Sequence, residues 1–203
     1  MKMKKTILIS AALLAVPFAS VQAQSAYDKM MKAGFEAKGQ AGLDRINQDA
    51  TQLFCSDAKN LTDEKSGAKR AEIEKINMAT IKQPSDGKYI GDWKSGERIA
   101  QSGRGATWTD KPDSAVGGGC YNCHQINKAE ISHGNIGPSL WNYGKMRGYS
   151  KEVVEYTWGR ISNSKAYNAC SNMPRFAHFK LLNEKQMQDV MALLLDPQSP
   201  VNK

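Results

Sequence analysis

The sequence lacks any long apolar stretch beyond its N-terminal segment. A membrane-spanning helix needs about 20 predominantly apolar residues, and no run after Phe18 approaches that length. The chain also has no block of five or more basic residues and no interleaving of basic with aromatic side chains, which supply only 8% of its residues. Surfaces that bind nucleic acids are usually built from such patterns. We therefore expect no membrane span in the mature chain and no nucleic-acid partner.

Alternation of apolar and polar residues, which marks a half-buried strand, is also missing. Several segments instead carry apolar residues at helical spacing. Asp92 is a predicted N-cap for a helix that runs to about Ser102, Ser150 caps a second helix, and Asn183 begins a final one. Gly96 would let the first and last of these helices cross closely. The predicted fold class is all-α.

The N-terminal segment has the composition of a secretory signal peptide. Lys2, Lys4 and Lys5 precede an apolar run over residues 6–18, and Val21-Gln22-Ala23 places small residues two apart, as signal peptidase requires. Cleavage after Ala23 would remove the three lysines and lower the formal net charge from +8 to +5. We expect a cleaved signal peptide over residues 1–23 and a mature chain in the periplasm.

Residues 24–90 form a polar, mostly helical extension with thin apolar stripes. One predicted helix ends near Cys55, and Thr62 or Asp63 could cap another, which stops before Pro84. Because such stripes bury little apolar surface, we expect the extension to pack on a partner. Residues 91–203 form the second predicted domain. The stripe residues are Leu43, Ile46, Ala50, Leu53 and Phe54 in the first helix and Ile73, Ile76 and Thr80 in the second.

Cys120-Tyr121-Asn122-Cys123-His124 is the motif with the clearest chemistry. C-x-x-C-H is the attachment signature of c-type haem, in which both thiols add to the vinyl groups and the histidine coordinates the iron. A zinc site would need a second ligand pair at similar spacing, which Cys55 and Cys170 do not form. A thioredoxin-like pair would follow a strand, and none precedes the motif. The motif predicts one haem c bound by Cys120 and Cys123, with His124 as an axial ligand.

Met173 is the predicted second axial ligand of the iron. It lies in Ser171-Asn172-Met173-Pro174, which Pro174 keeps out of helix, just before the final helix. His133 is too close in sequence to His124 to reach the opposite haem face, and His178 is the alternative ligand. Gly137-Pro138-Ser139-Leu140 follows the motif. A carbonyl there, assigned to Pro138, could accept a hydrogen bond from the other imidazole nitrogen of His124.

Cys55 and Cys170 remain after the haem has taken two thiols. Because exported proteins mature in an oxidising compartment, an even remainder favours a disulfide, with two free thiols as the alternative. Closing so long a loop would stabilise the fold by about 4–5 kcal/mol in the chain-entropy model. Because Cys170 lies three residues before Met173, the bond would also tether the methionine loop.

From Gly91 to its end the chain resembles the class I cytochromes c, and more narrowly the SoxX family, the small haem subunits of SoxAX complexes. The resemblance is carried by CYNCHQ (120–125), GNIGPSL (134–140), MPRF (173–176) and the tail ALLLDPQSPVN (192–202). It is weak over residues 24–90. It implies a class I cytochrome c fold to which the helical extension is added.

The resemblance also implies that the chain is the electron-accepting subunit of an L-cysteine S-thiosulfotransferase complex. In this family, thiosulfate is oxidatively coupled to a cysteine of the SoxYZ carrier, with the substrate chemistry on the SoxA subunit. The SoxX haem passes the electrons to a soluble cytochrome. The expected partners are therefore a SoxA-like cytochrome, a SoxYZ-like carrier and a soluble cytochrome. Two alternatives are a free-standing electron shuttle and a ligand-binding or peroxidase-type haem protein with a vacant sixth position.

Overall fold

The computed structural model describes residues 19–203, and in that range it contains α-helices and short 3-10 turns but no β-strand. The all-α prediction is therefore confirmed for these residues. The predicted signal peptide lies largely outside them. The α-helices are α1 (Ala19–Gly34), α2 (Ala50–Ser56), α3 (Lys59–Thr62), α4 (Gly67–Met78), α5 (Trp93–Gln101), α6 (Tyr143–Arg147), α7 (Lys151–Ser162) and α8 (Glu184–Leu195).

The chain divides into a unit that ends at Ala37 and a second unit, Lys38–Lys203. The first contains α1, and the predicted cleavage point after Ala23 falls inside that helix. The second contains α2 to α8 and every residue of the predicted haem site. The domain boundary predicted between residues 90 and 91 falls inside the second unit and stays a prediction. None of the helices within residues 19–203 has the length and apolar character needed to cross a membrane.

The second unit is built around a close crossing of α5 and α8. Asp92 caps α5 and Asn183 caps α8, both as predicted. A Cβ atom placed on Gly96 would lie 2.0 Å from the carbonyl oxygen of Asp189, so only a glycine permits this approach. The predicted close crossing of the first and last helices of this region is confirmed.

The C-terminal helix α8 is buried along most of its length because α5, α6, α7 and the final 3-10 turn surround it. Asn202 in that turn donates to the carbonyl oxygen of Leu194 at 3.0 Å and accepts from the amide of Gly144 at 2.9 Å. These bonds connect α8 with α6. The buried apolar residues of α8 are Met187, Val190, Met191, Ala192, Leu193, Leu194 and Leu195.

The first predicted helix of the extension is divided in the structure. Leu43–Ile46 forms a 3-10 turn, the backbone is extended at Asn47, and α2 starts afresh after Asp49. Asp49 accepts from the amide of Gln52, and the Gln52 side chain accepts from the amide of Asp49. This capping box starts a new helix at residue 50. The apolar spacing predicted one continuous helix, and that prediction is wrong for this segment.

The part of the extension that belongs to the second unit, residues 38–90, packs on the C-terminal part of that unit. Cys55 and Cys170 form a disulfide, which confirms that prediction. Helix α4 contacts the 3-10 turn Ser164–Ala166, and the indole nitrogen of Trp158 donates to the carbonyl oxygen of Lys82 at 2.8 Å. The thin apolar stripes suggested packing on a partner. A disulfide and polar contacts, which no hydrophobic pattern reveals, hold the segment to its own chain.

Candidate functional site

The predicted haem-attachment motif follows the C-terminal end of α5. The amide of Gly119 donates to the carbonyl oxygen of Ser102 at 2.8 Å, which joins the motif to that helix end. Gly119 has a φ of 56°, and the chain then enters the 3-10 turn Cys120–Asn122. The amide of His124 donates to the carbonyl oxygen of Cys120 at 2.9 Å. This turn brings the first cysteine and the histidine together.

Tyr121, inside the motif, fastens it to α5 from the buried side. Its hydroxyl donates to the Glu97 carboxylate at 2.9 Å and accepts from the amide of Asn127 at 3.2 Å. Burial, followed by the bond to Glu97, raises the pKa of Tyr121, so the phenol stays neutral and can donate. The C-x-x-C-H pattern leaves its two central positions open, and therefore gave no signal for this contact.

The His124 imidazole is held in one orientation and one tautomer. Its Nδ1 lies 2.7 Å from the carbonyl oxygen of Pro138, and because a carbonyl only accepts, Nδ1 must carry the proton. A Cβ on Gly137 would lie 2.2 Å from Cε1 of the ring, so the glycine backbone packs directly on the imidazole. The contact assigned to Pro138 is present, and Nε2 keeps its lone pair available for a metal.

Cys120, His124 and Met173 line one cavity. The cavity itself encloses about 40 Å³, within about 410 Å³ of space between atoms that includes open solvent. An apolar lining that carries an imidazole and a thioether suits an apolar ligand with a metal that accepts both donors. The other walls are apolar and consist of Ala100, Ile126, Leu140, Ile161, Phe176, Leu182, Val190, Leu193 and Leu194.

Met173 is carried by an irregular segment between the 3-10 turn Ser164–Ala166 and α8. The hydroxyl of Ser164 donates to the carbonyl oxygen of Met173 at 2.6 Å. The amide of Met173 donates to the hydroxyl of Ser171 at 3.2 Å. Neither histidine considered as an alternative ligand is among the residues lining the cavity. His133 is exposed, and the His178 ring lies beside Arg175.

Cys55 and Cys170 form the predicted disulfide, and Cys120 and Cys123 take no part in a disulfide. Burial raises the pKa of the Cys120 thiol to about 12, so it is protonated at neutral pH. Zinc binds the thiolate form. Within residues 19–203, no three His, Cys, Asp or Glu side chains come together in the arrangement a metal ion would need. Neither observation favours the zinc interpretation of the motif.

Comparison with known proteins relates the chain to a bacterial lipoprotein. No protein-family profile matches the chain. Over 158 residues it is 39% identical to an uncharacterized lipoprotein of Aquifex aeolicus (strain VF5). The aligned part covers 77% of this chain and 73% of the relative.

We expect Gly137→Ala to displace the His124 ring, because the new methyl group would occupy the space of the imidazole. In NMR spectra of the purified protein, the protected Nδ1–H resonance expected of the wild type should be lost or exchange rapidly in this variant. Gly103→Ala is a matched control, because a Cβ there would meet only the Asn122 side chain, at an ordinary 3.5 Å. An unchanged His124 resonance in Gly137→Ala would show that the ring does not depend on this contact.

Proposed function

The chain belongs to the same family as the Aquifex aeolicus lipoprotein, and we propose that it is an exported c-type cytochrome that transfers electrons. Cys120 and Cys123 would bind one haem c covalently, and His124 and Met173 would ligate its iron. The observation that carries the proposal is that Cys120 and His124, from one motif, line the same apolar cavity as Met173, which lies 49 residues beyond His124. Export is supported by the signal-like N-terminus and by the relative's name, because lipoproteins are exported proteins.

The residues at the cavity suit a haem iron in chemical type. His124 would offer Nε2 to the iron, and the Pro138 carbonyl orients the ring through its hydrogen bond with Nδ1. The Met173 thioether is neutral and brings no charge into an apolar cavity. The side chains that surround both donors in the cavity wall are apolar. A haem bound there would supply a one-electron couple, whose potential a thioether ligand raises relative to a thiolate.

The class I cytochrome c fold is part of this proposal. Members of that class place the C-x-x-C-H motif after the first helix and the methionine loop before the closing helix. Here α5 precedes the motif, α8 follows the Met173 segment, and the two helices cross at Gly96. This order and this crossing support the assignment.

More narrowly, we propose that the chain is the electron-accepting haem subunit of a SoxAX-type complex with L-cysteine S-thiosulfotransferase activity. The support is the resemblance of its haem motif, methionine loop and C-terminal tail to the SoxX family. With two protein ligands the iron would have no open position, so the thiosulfate chemistry belongs on a SoxA-like partner. Electrons would then pass from this chain to a soluble cytochrome.

A free-standing electron shuttle is the second candidate, and one observation favours it. The extension was expected to pack on a partner, whereas residues 38–82 contact the C-terminal part of their own unit. A surface completed in this way is what a protein that associates only briefly with its redox partners needs.

Covalent haem is the first expected outcome. The full chain, exported in a host with a c-type haem maturation system, should carry one haem that survives denaturation, measured by pyridine haemochrome assay and intact mass. Cys120→Ser with Cys123→Ser should abolish covalent attachment because the thioether bonds cannot form. The pair Cys55→Ser and Cys170→Ser is the matched control and should retain the haem. A wild-type chain without haem, beside a control cytochrome that matures normally, would overturn the proposal.

Replacing Met173 should open the sixth coordination position. Met173→Ala should lose the weak methionine-to-iron charge-transfer band of the ferric protein and should bind carbon monoxide when reduced at neutral pH. Met146→Ala is the matched control, because Met146 is 78% exposed and does not line the cavity. Retention of the band in Met173→Ala would assign the ligand to another residue.

The two candidate functions differ in whether electrons from thiosulfate reach the haem. For a SoxAX-type subunit, thiosulfate should reduce the haem, followed by its visible absorption, only when a SoxA-like subunit and a SoxYZ-like carrier are both present. The chain should also co-elute with the SoxA-like subunit. Elution as a free monomer, together with no reduction in the complete mixture, would leave the shuttle as the function.

A further inference from the structure

We propose that residues 49–82, here called the strap, position the segment that carries Met173. The inference rests on the proposed role of Met173 as an iron ligand and adds what keeps that ligand in place. The Met173 segment has no helix of its own between the 3-10 turn Ser164–Ala166 and α8. Its position at the cavity therefore depends on what holds it from outside.

The first contact between the strap and the Met173 segment is covalent. Cys55, in α2, is bonded to Cys170, three residues before Met173. Both cysteines lie in the same compact unit, so the bond fixes one side of the segment to α2. A disulfide with a sequence separation of 115 removes much of the freedom with which the two ends could separate.

The second contact is an ion pair on the other side of Met173. Arg175, two residues further on, is buried with 2% of its side chain exposed, and its guanidinium donates to the Asp49 carboxylate at 2.6 Å. The guanidinium carbon also lies 4.4 Å from the centre of the Phe179 ring. Because Asp49 caps α2 as well, the same carboxylate joins the helix start to the segment.

The charge on Asp49 is needed because two cations lie close to it. Burial raises the pKa of Asp49, but the hydrogen bonds from Gln52 and Arg175 outweigh it and leave the pKa lowered, so the group is ionised at neutral pH. Lys165 is also buried, and burial and then Arg175 lower its pKa. Without the Asp49 charge, Lys165 and Arg175 would oppose each other in a poorly solvated site.

Further hydrogen bonds complete the attachment. The Glu74 carboxylate accepts from the amide of Ala169 at 3.0 Å. Asn163, 1% exposed, donates to Asn77 at 2.9 Å and to Thr80 at 3.0 Å. The strap thus holds the Met173 segment at its base, at Ala169 and Cys170, and again at Arg175. Contacts on both sides of Met173 restrict movement of the thioether away from the cavity.

The test uses the haem-loaded full chain with two kinds of variant. Cys55→Ser with Cys170→Ser removes the covalent contact. Asp49→Asn removes the ion pair but keeps the helix cap, because asparagine is as good an N-cap as aspartate. The readout is the rate at which imidazole replaces Met173 on the ferric iron, followed by loss of the methionine-to-iron band. We expect that rate to rise about tenfold or more in the disulfide variant and by a smaller factor in Asp49→Asn.

A general loss of stability must be separated from a local release of the segment. Asn202→Ala is the control, because Asn202 connects α6 with α8 and has no contact with the strap. It should destabilise the fold while leaving the imidazole rate near that of the wild type. Amide hydrogen exchange adds a readout that needs no haem: the strap variants should expose Met173 and Phe176 to faster exchange without affecting α8.

The outcomes distinguish the two proposals. Absence of haem overturns the proposed function, and a band that survives Met173→Ala overturns the assignment of Met173 as the ligand. In either case hydrogen exchange still decides whether the strap holds the segment. Imidazole rates and exchange at wild-type values in both strap variants overturn the strap. So does an equal acceleration in Asn202→Ala at a matched loss of stability. Faster imidazole binding and local exchange confined to the strap variants support it.

Discussion

The close crossing of α5 and α8 at Gly96 is the contact on which the rest of the molecule depends. Ala100 of α5 and Val190, Leu193 and Leu194 of α8 form one side of the cavity, so the cavity exists only where these helices meet. The end of α5 holds the residues just before the C-x-x-C-H motif, because the amides of Gly118 and Gly119 donate to the carbonyl oxygens of Ile99 and Ser102. The start of α8 follows the Met173 segment. A side chain at position 96 would separate the helices and alter both ends at once.

The site is organised by contacts that restrict the orientation and the tautomer of its side chains. The Pro138 carbonyl assigns the proton of His124 to Nδ1, and the backbone of Gly137 limits how the ring can turn. Tyr121 and Glu97 fasten the motif to α5. These groups would leave the imidazole little to rearrange on binding the proposed haem iron. Low rearrangement is a property that the proposed electron transfer would require.

The contacts of the extension differ from those that its sequence predicts. Thin apolar stripes at residues 43–54 and 73–80 predict that the segment packs on a partner protein. In the structure, residues 49–82 are fastened to the other side of the same unit by a disulfide, an ion pair and hydrogen bonds among buried amides. Because residues 49–82 lie around the Met173 segment, they are a candidate part of the site. Any surface that binds a partner protein is therefore expected on another part of the chain.

Local chemistry is the part of this protein that its sequence determined. The caps at Asp92, Ser150 and Asn183, the C-x-x-C-H motif, the even pair of remaining cysteines and the glycine at position 96 each act through neighbouring or chemically unique atoms. Only the tertiary structure decided that α2 starts afresh at Asp49, that Tyr121 bonds Glu97, and that Asp49 reaches Arg175 across 126 positions. The physical reason is that a polar contact between distant residues leaves no periodic trace in either segment. Its energy arises only when folding removes both partners from water.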